Sequence, residues 1–66
     1  MVYKISLRAA RVNAGLTLKE AAKLIGVCEA TLIKWEKDPS IISALYQQRI
    51  SDAYSYPIDG IIFLET

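Results

Sequence analysis

A threonine followed three residues later by a glutamate, at Thr17 and Glu20, constrains this chain more than any other local pattern. At this spacing the threonine hydroxyl accepts a hydrogen bond from the Glu20 amide, while the carboxylate accepts one from the Thr17 amide. Gly26 can adopt the left-handed conformation that ends a helix. The pattern therefore predicts a helix from Leu18 to Ile25. Its buried side is expected to hold Ala21, Ala22 and Ile25, with Leu18 or its neighbours.

Weaker signals predict a helix on each side of this one. Ser6 can cap a first helix over Leu7 to Ala14, and Gly15 can form its left-handed end. A third helix is predicted over Glu29 to Lys37, preceded by Cys28, which is a poorer cap than Ser, Thr, Asp or Asn. The residues of this third region expected to face inward are Leu32, Trp35 and Val27.

The C-terminal third of the chain is less regular. After the break at 38–40, Ser43 can cap a fourth helix from Ala44 to Tyr54. Pro57 and Asp59 favour the start of a short fifth helix that includes Ile58, Ile61, Ile62 and Phe63. An alternative stays open, in which Ile61 to Leu64 form an extended segment that pairs with another chain.

Length and residue usage narrow the class of protein. With 66 residues, 53% of them hydrophobic, the chain is predicted to form one all-α domain spanning 1–66. A single cysteine and no histidine exclude a disulfide or zinc scaffold, and no nucleophile has an evident base, so neither an enzyme nor a cofactor is expected. Cys28 is interpreted as a small, half-buried helix cap. A cytoplasmic location is expected, because no apolar run has the length of a signal peptide or membrane span.

The charges are divided unequally along the chain. Residues 1–37 carry seven basic and three acidic side chains, whereas residues 38–66 carry one basic and four acidic. The two parts have net charges of +4 and −3. Such asymmetry is expected when one face of a protein meets a polyanion, although ordinary solvated charge explains it equally well.

The second and third helices, joined by Gly26, Val27 and Cys28, match the spacing of a helix-turn-helix at 17–37. Around them the sequence resembles the phage repressor and Cro-type helix-turn-helix family, the Xre group. The resemblance rests on Leu7-Arg8-x-x-Arg11-x-x-x-Gly15-Leu16-Thr17, on Glu20-Ala21-Ala22-x-x-Ile25-Gly26-Val27, on Thr31-Leu32-x-x-Trp35-Glu36 and on the ending from Tyr54 to Phe63. It implies a compact five-helix, lambda repressor-like domain that binds operator DNA, usually as a dimer, in a bacterial cytoplasm.

The resemblance also implies roles for particular residues. It assigns contacts with base edges to Glu29, Ala30, Thr31, Ile33 and Lys34. It assigns phosphate contacts to Thr17, the amide of Leu18, Lys19, Trp35, Lys37 and Ser40, and a structural ion pair to Arg11 and Glu36. Leu18 replaces the glutamine common at its position, and the loop 38–40 lacks extra basic residues, so weak or salt-sensitive binding is expected.

A second class of function stays open, namely a protein-interaction module of the same fold, such as an antitoxin or antirepressor. Its support comes from apolar side chains that a small domain cannot easily bury, and that would suit a homodimer interface equally well. They are Ile41, Ile42, Ile61, Ile62, Phe63 and Leu64. Since the 66 residues hold no additional segment, a short Cro-like regulator is favoured over a longer inducible repressor.

Overall fold

The computed structural model describes residues 4–63 and contains four α-helices in that range. They are α1 (Leu7–Asn13), α2 (Leu18–Ile25), α3 (Glu29–Lys37) and α4 (Ala44–Tyr54), with 3₁₀ turns at Pro39–Ile41 and Ile58–Gly60. The bounds predicted for α2, α3 and α4 are confirmed, and α1 ends one residue earlier than predicted. None of the described helices has the length and apolar character needed to cross a bilayer.

The helix ends follow the capping residues seen in the sequence. Ser6 Oγ accepts from the Ala9 amide at 3.1 Å. At the start of α2, Thr17 Oγ1 accepts from the Glu20 amide at 3.1 Å, and Glu20 Oε1 accepts from the Thr17 amide at 3.0 Å. The hydrogen bond from the Thr17 backbone, followed by that from its side chain, lowers the pKa of the Glu20 carboxyl. These bonds satisfy amides that a helix start otherwise leaves without a partner.

The prediction of a fifth α-helix is wrong. Ile58–Gly60 forms a single 3₁₀ turn, and Ile61 then pairs with Ile5 in a parallel β-bridge. The Ile5 amide donates to the Gly60 carbonyl at 2.8 Å, and the Ile62 amide donates to the Ile5 carbonyl at 2.9 Å. Glycine weakens a helix and β-branched isoleucines favour extended backbone, so this pairing replaces another helical turn. The alternative of an extended segment was right for residues 61–63, but their partner lies in the same chain, and Leu64 lies outside the described residues.

The core lies where the four helices meet, and residues from both ends of the described chain close it. Its buried side chains are Leu7, Ala10, Ala21, Ala22, Ile25, Leu32, Trp35, Ile42, Ile50, Tyr54, Ile61 and Phe63. Ile42, Ile61 and Phe63 were expected to be exposed, and that expectation is wrong. The turn at Pro39–Ile41 packs against α3, and the bridge draws residues 61–63 onto the helices, so these side chains are covered. Ile41 and Ile62 are exposed, as expected.

Candidate nucleic-acid interface

The turn between α2 and α3 fixes the relative position of these two helices. Gly26 has φ of +92°, a left-handed conformation that side chains with a Cβ rarely adopt. The amides of Gly26 and Val27 both donate to the Ala22 carbonyl, at 2.8 and 3.0 Å. Ala21 of α2 and Leu32 of α3 are both fully buried, and the two helices are in contact. This arrangement presents one face of α3 to solvent.

That solvent face of α3 carries the residues assigned to base contacts. Glu29, Ala30, Ile33 and Lys34 are exposed, and Thr31 is half-buried. Ile33 stands out because 41% of this large apolar residue is exposed between charged neighbours. The opposite face of the helix is buried through Leu32 and Trp35. The face therefore offers an acid, a base, a hydroxyl and apolar surface on one strip of helix.

An ion pair joins α1 to the end of α3. Arg11 Nε donates to Glu36 Oε2 at 2.8 Å, and the side chains are only 11% and 12% exposed. Arg11 Nη1 also donates to the Leu16 carbonyl at 3.0 Å, in the segment between α1 and α2. One guanidinium thus holds three parts of the domain together. A planar guanidinium is suited to this because its donors have a fixed geometry.

The residues assigned to phosphate contacts differ in their surroundings. Thr17, Lys19 and Lys37 are exposed, whereas the Leu18 side chain packs against the core. At the start of α2 the amides of Leu18 and Lys19 precede the capped Glu20 amide, so they have no acceptor within the helix. A helix N-terminus of this kind attracts anions.

Two of the assigned phosphate contacts fit their positions poorly. Trp35 is only 8% exposed and packs against Tyr46, with ring centroids 5.3 Å apart. Ser40 Oγ donates to Asp38 Oδ1, so its proton is already directed to a carboxylate that repels phosphate. We therefore leave Trp35 and Ser40 out of the contacts proposed for DNA.

Cys28 is exposed, so its interpretation as a half-buried cap is wrong. It makes no side-chain capping hydrogen bond to α3, and its Sγ instead lies 3.1 Å from Thr31 Oγ1. The nearby Thr31 hydroxyl, followed by the Thr31 backbone, lowers the pKa of the thiol. The thiol and hydroxyl thus restrict each other's orientation at the start of the exposed face.

Sequence reasoning missed Arg49. Its guanidinium lies over the Tyr46 ring, 5.4 Å from the ring centroid. Its Nη1 would be 3.4 Å from a Cβ added to Gly26, so it reaches the turn between α2 and α3. The three-residue spacing of Tyr46 and Arg49 on a predicted helix could have indicated the pair. Tyr46 thus contacts Arg49 and, in a tilted arrangement, Trp35, which joins α3 to α4.

The fold and this geometry define a helix-turn-helix domain. A family model described as Helix-turn-helix matches residues 7–61. The chain therefore belongs to the Cro/repressor-type, Xre-like helix-turn-helix family, a family of DNA-binding regulators that are generally not enzymes. Comparison with curated proteins and with solved structures found no match. Residues 4–63 contain no cluster of three or more His, Cys, Asp or Glu residues that could hold a metal ion.

Proposed function

We propose that this domain is a sequence-specific transcriptional regulator of the phage Cro/repressor type, in which the exposed face of α3 reads the major groove of an operator. The observation that carries the proposal is the exposed Ile33, flanked on the same helix face by Glu29 and Lys34 and backed by the buried Leu32. A solvated helix face explains the two charges but not the isoleucine. A major groove supplies partners for all three, because it presents donors, acceptors and thymine methyl groups.

The chemistry of each side chain limits what it can contact. Lys34 can donate to guanine O6 and N7, and Glu29 can accept from cytosine N4. Ala30 and Ile33 can pack on thymine methyl groups, and Thr31 lies at the edge of the face, where its hydroxyl can reach a base or a phosphate. The combination favours a mixed site that contains both G·C and A·T pairs.

Phosphate contacts would hold α3 in register. The amides of Leu18 and Lys19, the Thr17 hydroxyl and the lysines at 19 and 37 are the groups available for them. If the two lysines each neutralise one phosphate, the slope of log affinity against log salt is about −1.8 per protomer and about −3.6 for a dimer. Because each protomer has so few phosphate contacts, a dimer on a symmetric operator is the expected binding form.

The decisive experiment selects bound duplexes from a random pool and then measures the affinities of variants by fluorescence anisotropy. Lys34→Ala should change the preferred sequence, whereas Lys19→Ala should weaken binding to all duplexes alike and reduce the salt slope by about 0.9 per protomer, or about 1.8 for a dimer. Lys23→Ala is the matched control, because Lys23 is an exposed lysine of α2 outside the proposed contacts. If oligonucleotide titration shifted NMR signals of other surfaces and left Glu29 to Lys34 unchanged, the proposal would be refuted.

A protein-interaction module of the same fold is the second candidate. Leu24 and Leu45 favour it, because each is 60% exposed and neither belongs to the proposed DNA face. The two candidates differ in the simplest assay. The regulator should bind random duplex at low salt and lose it as salt rises, whereas absence of binding at every salt concentration would favour the interaction module.

A further inference from the structure

Arg49 of α4 is an exposed basic residue outside the set of proposed DNA contacts. Its guanidinium lies 5.4 Å from the centroid of the Tyr46 ring, about one turn earlier on the same helix. In the described part of the chain the ion pair is that of Arg11 with Glu36, so Arg49 has no carboxylate partner there. A cation over an aromatic face is attracted by the ring. The Tyr46 ring thus gives this exposed side chain a preferred position.

The guanidinium also reaches the turn between α2 and α3. Nη1 of Arg49 is so close to Gly26 that a Cβ added there would lie 3.4 Å from it. Gly26 directly follows the last residue of α2, where helix carbonyls lack intrahelical partners and carry partial negative charge. A cation at this end of a helix is electrostatically favourable. Arg49 therefore stabilises the end of α2 in the conformation that leads the chain into α3.

The Tyr46 ring links the same side chain to α3 at a second point. It contacts Trp35, with ring centroids 5.3 Å apart and an angle of 54° between the planes. Trp35 is buried on the side of α3 that faces away from the exposed face. α3 is thereby contacted from behind near its last turn, while Arg49 reaches the turn that precedes its first residue. Both contacts come from one short stretch of α4.

We propose that Arg49 is a positioning residue for DNA binding, which holds α3 in its binding orientation without touching the nucleic acid. The apparent affinity of a protein falls with the fraction of molecules in the binding-competent conformation. A free protein that already holds α3 in the bound orientation has less ordering cost to meet on binding. The inference rests on the proposed function, because the face that Arg49 positions is the one proposed to read bases.

The place of Arg49 in the fold separates this role from a phosphate contact. The amides proposed to bind phosphate lie at the N-terminal end of α2, whereas Arg49 lies at its C-terminal end. The helix has 8 residues, so its two ends are about 12 Å apart. A positioning role predicts that loss of Arg49 lowers the affinity and leaves the number of neutralised phosphates unchanged. That number is measured by the salt slope.

The first test measures binding of duplexes selected by the wild-type protein, over a range of salt concentrations. Arg49→Met removes the charge and the planar group, and it should weaken binding about fivefold per protomer through loss of the ring contact and of the cation at the helix end. The salt slope and the preferred sequence should not change. Arg49→Lys keeps the charge and should recover part of the affinity, while every comparison is made at equal concentrations of folded protein, determined by urea unfolding.

The matched control is Arg8→Met, which removes the same charge from an exposed position on α1 outside the proposed contacts. Its affinity should stay within about twofold of the wild type. An equal loss of affinity in Arg8→Met and Arg49→Met would overturn the inference, because net charge alone would then explain the effect. So would a salt slope reduced by about 0.9 per protomer in Arg49→Met, which is the result expected of a direct phosphate contact.

The second test examines the orientation of α3 in the free protein. In ¹H–¹⁵N correlation spectra of Arg49→Met, the amides at the start of α3 and the indole of Trp35 should shift, whereas those of α1 should stay in place. Unshifted α3 signals, or wild-type affinity in Arg49→Met, would refute the positioning role alone. A wild-type chain that binds no duplex at any salt concentration would instead refute the proposed function, so the two failures are distinguishable.

Discussion

The ion pair between Arg11 and Glu36 supports a quantitative prediction. Its atoms are 2.8 Å apart, and both side chains are close to nine-tenths buried. Removing one partner of a buried pair leaves the other charge without compensation and costs about 3–5 kcal/mol. Because this pair keeps some exposure to solvent, we expect Glu36→Ala to cost about 2–4 kcal/mol. A domain of this length has a free energy of unfolding of about 3–10 kcal/mol. The variant is therefore expected to lose a large share of this stability.

Replacing both partners tests the physical reason for this cost. In a double-mutant cycle, Arg11→Met and Glu36→Leu should each destabilise the domain strongly. The double variant should lose less stability than the sum of the two, because it leaves no buried charge without a partner. The expected coupling energy is about 2 kcal/mol. The assay is urea unfolding monitored by Trp35, the single tryptophan of the chain, which is buried beside Tyr46.

The control for this cycle is Glu29→Ala, which removes an exposed carboxylate from the same helix and should change stability by less than about 0.5 kcal/mol. A coupling energy below about 0.5 kcal/mol would refute the reasoning, because the pair would then behave as an ordinary surface salt bridge. Equal destabilisation by Glu29→Ala and Glu36→Ala would also refute the reasoning, because the burial of Glu36 would then make no difference to the cost of removing it.

Four further substitutions test the caps and the core. Cys28→Ser should raise the melting temperature by a few degrees, because serine can accept the capping hydrogen bond that the thiol does not make; differential scanning calorimetry checks this. Thr17→Ala should cost about 1 kcal/mol in urea unfolding. Because the pKa of Glu20 lies below its ordinary value of 4.5, the stability contributed by its carboxylate should be lost as pH falls through that lowered pKa, and Glu20→Gln should remove this part of the acid dependence. Burial raises the pKa of Tyr54 from 10.0 to about 12, so stability should fall as pH rises between these values, and Tyr54→Phe should abolish that fall in an alkaline titration. The Tyr54 hydroxyl has no hydrogen-bond partner within residues 4–63, so Tyr54→Phe should also leave neutral stability unchanged or raised, and a loss above about 1 kcal/mol would contradict this.

The local parts of the fold could be predicted from the sequence because short-range chemistry decides them. The bonds between Thr17 and Glu20 fix where α2 begins, and the left-handed Gly26 fixes where it ends. The end of the chain could not be predicted in this way. There, the choice between helix and extended backbone depends on Ile5, which is far away in sequence and close in space. The same long-range contact buries Ile61, which the sequence alone left exposed.

The same distinction between short-range and long-range effects applies to the candidate site. The outward direction of Ile33 and Lys34 follows from helical periodicity, so the exposed face could be predicted. The engagement of Ser40 with Asp38, the burial of Trp35 against Tyr46 and the reach of Arg49 to Gly26 depend on tertiary packing. Periodicity contains no information about such contacts, so the surroundings of Trp35 and Ser40 could not be predicted, whereas the exposure of the α3 face could.

The bridge between Ile5 and Ile61 also has a consequence for how the molecule is made. A ribosome delivers α1, α2 and α3 long before residues 60–62, and the caps that begin and end α2 lie within it or next to it in sequence. The helix-turn-helix formed by α2 and α3 can thus fold on the nascent chain before Ile5 pairs with Ile61. The bridge to Ile5, and with it the burial of Ile61, can form only after residues 60–62 have left the ribosome.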